Sequence, residues 1–201
     1  MDVVLVHARA DEDKLVADGY GVTRRDVMFM CNDFVVIGPK CDPAGIRGLR
    51  DAVAALTRIA ATASPFVSRG DDSGTHKKER SLWQQAVITP AGPWYREAGQ
   101  GMGKVLLMAG ELDAYALTDR STWLAYRDRS PLEILTQGDE RLFNPYGVIA
   151  TNPDKYPEVN HVGATRLIEW ITSSAGQSII RAFHQRHGEP LFIPMAAPAA
   201  Q

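Results

Sequence analysis

The chain has 201 residues, 45% of them apolar and 23% charged, and its 22 Lys and Arg against 24 Asp and Glu leave a net charge of −2. That length suits one generous domain or two small lobes, and a chain of this size buries roughly 70% of its unfolded surface without needing a metal or disulfide. The near-neutral balance argues against a globally basic binder of nucleic acid or membrane surface, so any anion site has to be a local cluster.

The first thirteen residues, "MDVVLVHARADED", contain no basic n-region, apolar h-region or small-residue cleavage site, and so present no export signal. No run approaches 18 apolar residues, so no membrane-spanning helix is expected. "DVVLVH" reads as a buried strand from its short β-branched run, and "NDFVVIGP" as a second, stopped by Gly38-Pro39. Between them and after stand Cys31 and Cys41, read as two ordinary thiols or as a disulfide; no metal-ligand spacing accompanies them. "DPAGIRGLRDAVAALTRIAATA" sets Ile46, Leu49, Val53, Leu56 and Ile59 at helical spacing and predicts one amphipathic helix. A brief strand "SPFVSR", a helix "THKKERSLWQQA", a helix in "GQGMGKVLLMAGEL", a strand "DAYALT" and a short helix "DRSTWLAYR" follow. "LEILT" and "YGVIATNP" read as strands, "NHVGATRLIEWITSS" and "SAGQSIIRAFHQRHG" as helices, the last closed by Gly188. His184 and His187 lie three apart on it without a third ligand nearby, so they read as a solvated face. The alternation predicts an α/β fold with largely parallel sheets. Two strands stopped by proline, at 35–39 and 148–153, could be crossings between two lobes or parts of one sheet.

One stretch is dense in anion donors: "SRGDDSGTHKKER", residues 68–80. A strand feeding a helix through such a turn points backbone N–H groups and the positive end of the helix dipole at one spot. Ser73 and Thr75 add hydroxyls, Gly74 allows close backbone approach, and Arg69 offers a guanidinium fork suited to two oxygens of a tetrahedral anion. His76, Lys77 and Lys78 stand in the first helical turn, where cations oppose the dipole and a bound anion would offset the cost. The competing reading is a plain N-cap by Asp72 or Ser73. The stretch is no P-loop, and Ser73 with His76 is a poor nucleophile–base pair, so no catalytic residue and no resident metal is assigned. "GQGMG" follows "WYREA", which does not read as a strand, and is taken as a tight loop into a helix. In "TDRST", Thr118 or Asp119 is a cap and Arg120 reaches either a ligand or a carboxylate.

These segments in succession carry a resemblance. "DVVLVHA", "NDFVVIGPKCDPAGI", "FVSRGDDSGTHKKE", "WYREAGQGMG", "AYALTDRSTWLA" and "GQSIIRAF" together resemble the tungstate-binding proteins of ABC-type uptake systems, class II periplasmic binding proteins. The resemblance implies an α/β protein of two lobes of the type II periplasmic-binding-protein kind, closing on tungstate or molybdate and serving a membrane ABC permease. It implies no cofactor, no nucleic acid and a periplasmic or other extracytoplasmic location. Lobe 1 would be residues 1–38 with 147–201, and lobe 2 residues 39–146. Ser68 and Arg69 are the positions of the family's oxyanion donors, with Ser73, Gly74 and Thr75 beside them. The family carries a further segment before "DVVLVHA" with a Thr/Ser-rich turn, so lobe 1 is expected to be incomplete, with an exposed edge that invites a homodimer. Tungstate and molybdate are fully deprotonated near neutral pH and want donors alone, whereas phosphate keeps a proton and rewards a carboxylate. Asp71 and Asp72 therefore keep a phosphate-type binder open, though they are expected to face away and pair with Arg69 or Lys77. A cytosolic oxyanion-sensing domain is the other alternative.

Overall fold

The computed structural model describes residues 1–7, 9–22, 28–183 and 188–196. In chain order the elements are β1 (Val3–Val6), α1 (Arg9–Ala17), β2 (Gly21–Val22), β3 (Met28–Gly38), α2 (Ala52–Ala61), β4 (Phe66–Ser68), α3 (Gly74–Gln85) and β5 (Tyr95–Glu97). Then come α4 (Met102–Glu111), β6 (Ala116–Asp119), α5 (Arg120–Tyr126), β7 (Glu133–Thr136), β8 (Phe143–Thr151), α6 (His161–Thr172), α7 (Ser174–Ala182) and β9 (Ile193–Pro194). Among the described residues no helix is long and apolar enough to cross a membrane. The chain divides into two compact units, Met1–Asn32 with Asn144–Gln201, and Asp33–Phe143.

In the first unit, β1 pairs antiparallel with β8, Val3 opposite Ala150 and Val6 opposite Gly147, and β2 pairs with β8 at Thr151 and Ala150. Met30 and Cys31 of β3 face Pro194 and Ile193 of β9. Asn160 caps α6 through Gly163 N–H, and Ser173 caps α7 through Gly176 N–H.

In the second unit the latter half of β3 pairs antiparallel with both β6 and β7. β4 pairs parallel with β5, Phe66 opposite Tyr95 and Ser68 opposite Glu97, and Phe66 makes a parallel bridge to Tyr115 just before β6. Phe34, Ile46, Leu56, Ile59, Phe66, Leu82, Trp83 and Tyr115 pack into one core. Phe66, Trp83, Trp94 and Tyr95 stack and meet edge-on at ring separations of 5.5 to 6.3 Å, the favoured geometry for aromatic quadrupoles.

Several expectations change here. The ladders are mixed and mostly antiparallel, because a helical crossover constrains only the strands it joins, while the long β3 runs against both β6 and β7. The helix expected across 42–63 begins only at Ala52. Gly45 and Gly48 adopt positive φ, Asp42 takes the Ile46 and Arg47 N–H groups, and Asp51 caps the helix through Ala54 N–H. Ile46 is nonetheless fully buried, so its helical spacing marked the core without marking a helix. The chain passes from one unit to the other inside β3, between Asn32 and Asp33, and at the head of β8, not at the two proline stops. A continuous apolar strand carries no sequence mark of where its neighbours change. α7 ends at Ala182, with Phe183 as its C-cap residue, instead of reaching Gly188; His184 and His187 lie outside the described residues. Cys31 is buried and Cys41 exposed, both free.

Candidate functional site

Three strands of the second unit run the same way, and each delivers the chain to a helix start: β4 to α3, β5 to α4 and β6 to α5. The carboxyl edge of parallel strands is where α/β proteins collect ligand groups, since helix N-termini with unsatisfied N–H donors gather there. "WYREA" is therefore part of this edge. Tyr95–Glu97 forms β5, too short for its own pattern to announce and held by pairing with β4.

Ser68 ends β4 with no solvent exposure, and its Oγ has no hydrogen-bond partner. Arg69 follows, partly exposed, with Nε at 3.0 Å and Nη2 at 2.6 Å from one oxygen of Asp71. The other Asp71 oxygen accepts from Ser73 N–H at 3.2 Å. Burial pushes the Asp71 carboxyl up, but its bonds from Ser73 and Arg69 outweigh that and hold it below the usual range. This leaves the guanidinium oriented with donors to spare, because Arg carries five N–H groups.

Gly70 has φ 60°, and a Cβ there would lie 2.7 Å from the Glu97 Cβ, so only glycine fits where the turn crosses β5. Asp72 is also left-handed, at φ 57°. Its carboxylate points to Lys77 at 3.6 Å and Arg80 at 4.0 Å. Ser73 is the N-cap of α3, its Oγ accepting from His76 N–H at 3.4 Å. The amides of Gly74 and Thr75, in the first turn, have no acceptor within the helix. Thr75 is buried.

His76 is buried, and its Nδ1 accepts from Asp72 N–H at 3.0 Å. An accepting Nδ1 places the proton of the neutral ring on Nε2. Nε2 is sheltered from solvent without a hydrogen-bond partner, 3.7 Å from Glu97 Oε1. The ring thus braces the turn and makes no nucleophile–base pair with Ser73. Lys77 and Lys78 are accounted for without an anion, since Lys77 faces Asp72 and Lys78 donates to Arg141 C=O at 2.8 Å. Their place in the first turn is a packing matter and carries no ligand signal.

One group escaped the sequence reading. Glu79, 1% exposed, sits on α3 beneath the turn and accepts from Trp83 Nε1 at 3.1 Å and Tyr95 Oη at 2.8 Å, both on Oε1. Burial among these aromatics pushes its carboxyl up to about 7; the bonds from Tyr95 and Trp83 and the nearby Ser68 hydroxyl oppose the rise, and the like charge of Glu97 adds to it. The Ser68 hydroxyl is close enough to act on this carboxyl without reaching good hydrogen-bond geometry. The signal available in sequence was a glutamate at the spacing of Thr75, Leu82 and Trp83 on the apolar face of α3.

The two neighbouring helix starts differ. α4 begins at Gly101 with no side-chain cap, so its first amides are open. α5 is capped by Asp119 through Thr122 N–H at 2.9 Å, and Arg120 forks onto both Asp33 oxygens at 2.6 and 2.7 Å with Gln137 Oε1 at 2.8 Å. Arg120 therefore meets a carboxylate.

Residues 1–175 match the model of the PBP superfamily domain. The tungstate-binding protein TupA of Peptoclostridium acidaminophilum is 47% identical over 98% of this chain and 69% of its own length. This chain belongs to that family. A second member, TupA of Campylobacter jejuni, is 36% identical over 96% of this chain and 72% of its own length. A curated relative from Haloferax volcanii, named for anion binding in an ABC transporter, is 52% identical over 97% of this chain, which spans 58% of that relative's length. Two solved structures share the fold. The tungstate ABC transporter of Geobacter sulfurreducens has a TM-score of 0.81 at 53% identity, over 91% of this chain and 77% of its own. Tungstate-binding TupA of Desulfovibrio alaskensis G20 has 0.82 at 43%, over 98% and 80%. The relatives named here are binding proteins of transport systems, not enzymes.

Proposed function

We propose that this chain is the solute-binding part of an ABC transporter and that Ser68, Arg69, Ser73, Gly74 and Thr75 donate to a tetrahedral metal oxyanion, tungstate or its near-twin molybdate. The observation that carries the reading is Ser68 Oγ, buried at the carboxyl end of β4 with no partner. A buried hydroxyl without a partner costs about 1–3 kcal/mol, and a ligand that accepts from it removes that cost. Around it stand the open amides of an α3 start and a guanidinium already steered by Asp71. Both carboxylates of the turn are engaged with cations, which favours a fully deprotonated anion over phosphate, whose proton would need a free acceptor. The relatives named for tungstate support the choice of ion.

The proposed partner is a membrane permease, with delivery outside the cytoplasm. β1 is paired along one edge by β8, and its other edge is the surface through which two copies would form a dimer; sedimentation at micromolar concentration reads this directly. Calorimetric titration with tungstate, molybdate, sulfate and phosphate at one salt concentration tests the ligand. The expected order is tungstate and molybdate well ahead of sulfate and phosphate. Phosphate binding as tightly as tungstate overturns it.

A further inference from the structure

Resting on the functional reading above, we infer that Glu79 takes up a proton when the turn captures its dianion, so that anion binding and protonation of Glu79 are one coupled event. Glu79 is a positioning residue in this scheme, acting on the ligand through Ser68.

The argument starts from the Ser68 hydroxyl. It has one hydrogen to give and lone pairs to accept with. While Glu79 is ionised, its carboxylate competes for that hydrogen. Once Glu79 is protonated, its O–H donates to the Ser68 oxygen, and the Ser68 hydrogen is free for the bound oxyanion. Both Trp83 Nε1 and Tyr95 Oη donate to the same oxygen, Oε1, so Oε2 is the oxygen left to carry the proton. The ligand's two negative charges add a direct term, because like charges in a low-dielectric setting cannot cheaply coexist.

Among the described residues, the charge that acts on Glu79 is the like charge of Glu97, which adds to that repulsion, while the Arg69 guanidinium is steered by Asp71. On α3 itself, His76 lies one turn before Glu79 and Lys78 turns away to Arg141 C=O. β4 presents Ser68, and β5 presents Tyr95, whose phenol is pushed up and stays neutral, together with the like-charged Glu97. On the other neighbouring elements, Arg58 of α2 bonds Gly45 C=O, Lys104 of α4 bonds Gln100, and Asp119 of β6 caps α5. Burial already brings the carboxyl to about 7 before any ligand arrives, so the proton lies within reach of physiological pH. One proton comes from solvent for each dianion bound above that pH, and linkage makes affinity fall as pH rises.

The test is calorimetry with sodium tungstate from pH 6 to 9 in two buffers of different ionisation heat, alongside a titration of the Trp83 indole N–H resonance, which reports on the carboxyl it donates to. The expected results are a Kd flat below about pH 6 and rising toward tenfold per pH unit above 7, with close to one proton taken up per tungstate at pH 8. The Trp83 midpoint should be near neutral in the free protein and at least two pH units higher with tungstate bound. Glu79→Gln should bind with a pH-independent Kd and no proton uptake. A wild-type Kd that stays flat to pH 9, or a Trp83 midpoint unmoved by tungstate, overturns this inference while leaving the functional reading intact. Absence of tungstate binding at every pH overturns both.

Discussion

Ser68 shows how a single buried atom separates a binding role from a structural one. Because its Oγ has no partner in the free protein, Ser68→Ala should leave thermal stability unchanged or raise it by about 1 kcal/mol. Tungstate affinity should meanwhile fall ~10–100-fold, the worth of one charge-assisted hydrogen bond. Melting curves and calorimetry on one preparation read both, and a stability loss with unchanged affinity would make the serine merely structural. Asp72, exposed and turned to Lys77 and Arg80, can become Asn with little change in affinity. Asp71→Asn should cost a few-fold, since the neutral amide holds the Arg69 fork less firmly. Titrating both variants in parallel decides it, and a gain in phosphate binding by either would revive the phosphate reading. Strand-turn-helix chemistry is local, so the sequence pointed to Arg69 and the Ser73 cap, while Ser68 came only through the family resemblance. Glu79 stayed hidden because a glutamate's burial depends on Trp83 and on Tyr95 of another strand.

At the scale of elements, the turn works because β4, β5 and α3 are held in one relation. Gly70 passes directly over Glu97 of β5 with φ 60°. Gly70→Ala should cost about 2 kcal/mol from left-handed strain and the clash together, and should weaken anion binding by shifting Arg69 and Ser73. A variant as stable as wild type in denaturant titration would show that the turn can slide. The start of α2 depends on a distant acid in the same way. Asp139 accepts from Ala52 N–H at 2.6 Å and from Arg141 N, Nε and Nη2, while Arg141 also reaches Asp51. Burial raises the Asp139 carboxyl, but the bonds from Arg141 and Ala52 overcome it and bring it down to about 2. Asp139→Ala strands those donors and should destabilise by about 2–4 kcal/mol, as chemical denaturation would show. The Asn160, Ser173 and Asp119 caps were readable as Ser, Asn or Asp before helical patterns; Asp139 was not, since it lies 87 residues from the amide it serves.

For the whole molecule, Asp139 and Glu79 act on stability in opposite directions. Asp139 is depressed below its ordinary 3.8, so its contribution is present above that value and disappears as pH falls toward about 2. Glu79 is raised from 4.5 to about 7, so the folded state holds its proton more tightly than the unfolded chain does. Stability should therefore decline as pH rises from 4.5 to 7, by on the order of 3 kcal/mol at most. Glu79→Gln should flatten that slope between pH 5 and 8 in urea denaturation, and a wild-type curve already flat there would contradict the buried-acid account. From the sequence alone came the motif succession, the donor turn, the apolar spacing of the core and most helices, because each rests on neighbours within a few residues and on hydrogen bonds a short segment can satisfy. The tertiary structure alone decided the mixed strand directions, the existence of β5, the breaks inside β3 and β8, and the burial of Glu79 behind Ser68. Those depend on which distant strands lie side by side, and a local pattern of apolar and polar residues is the same whichever neighbour a strand takes.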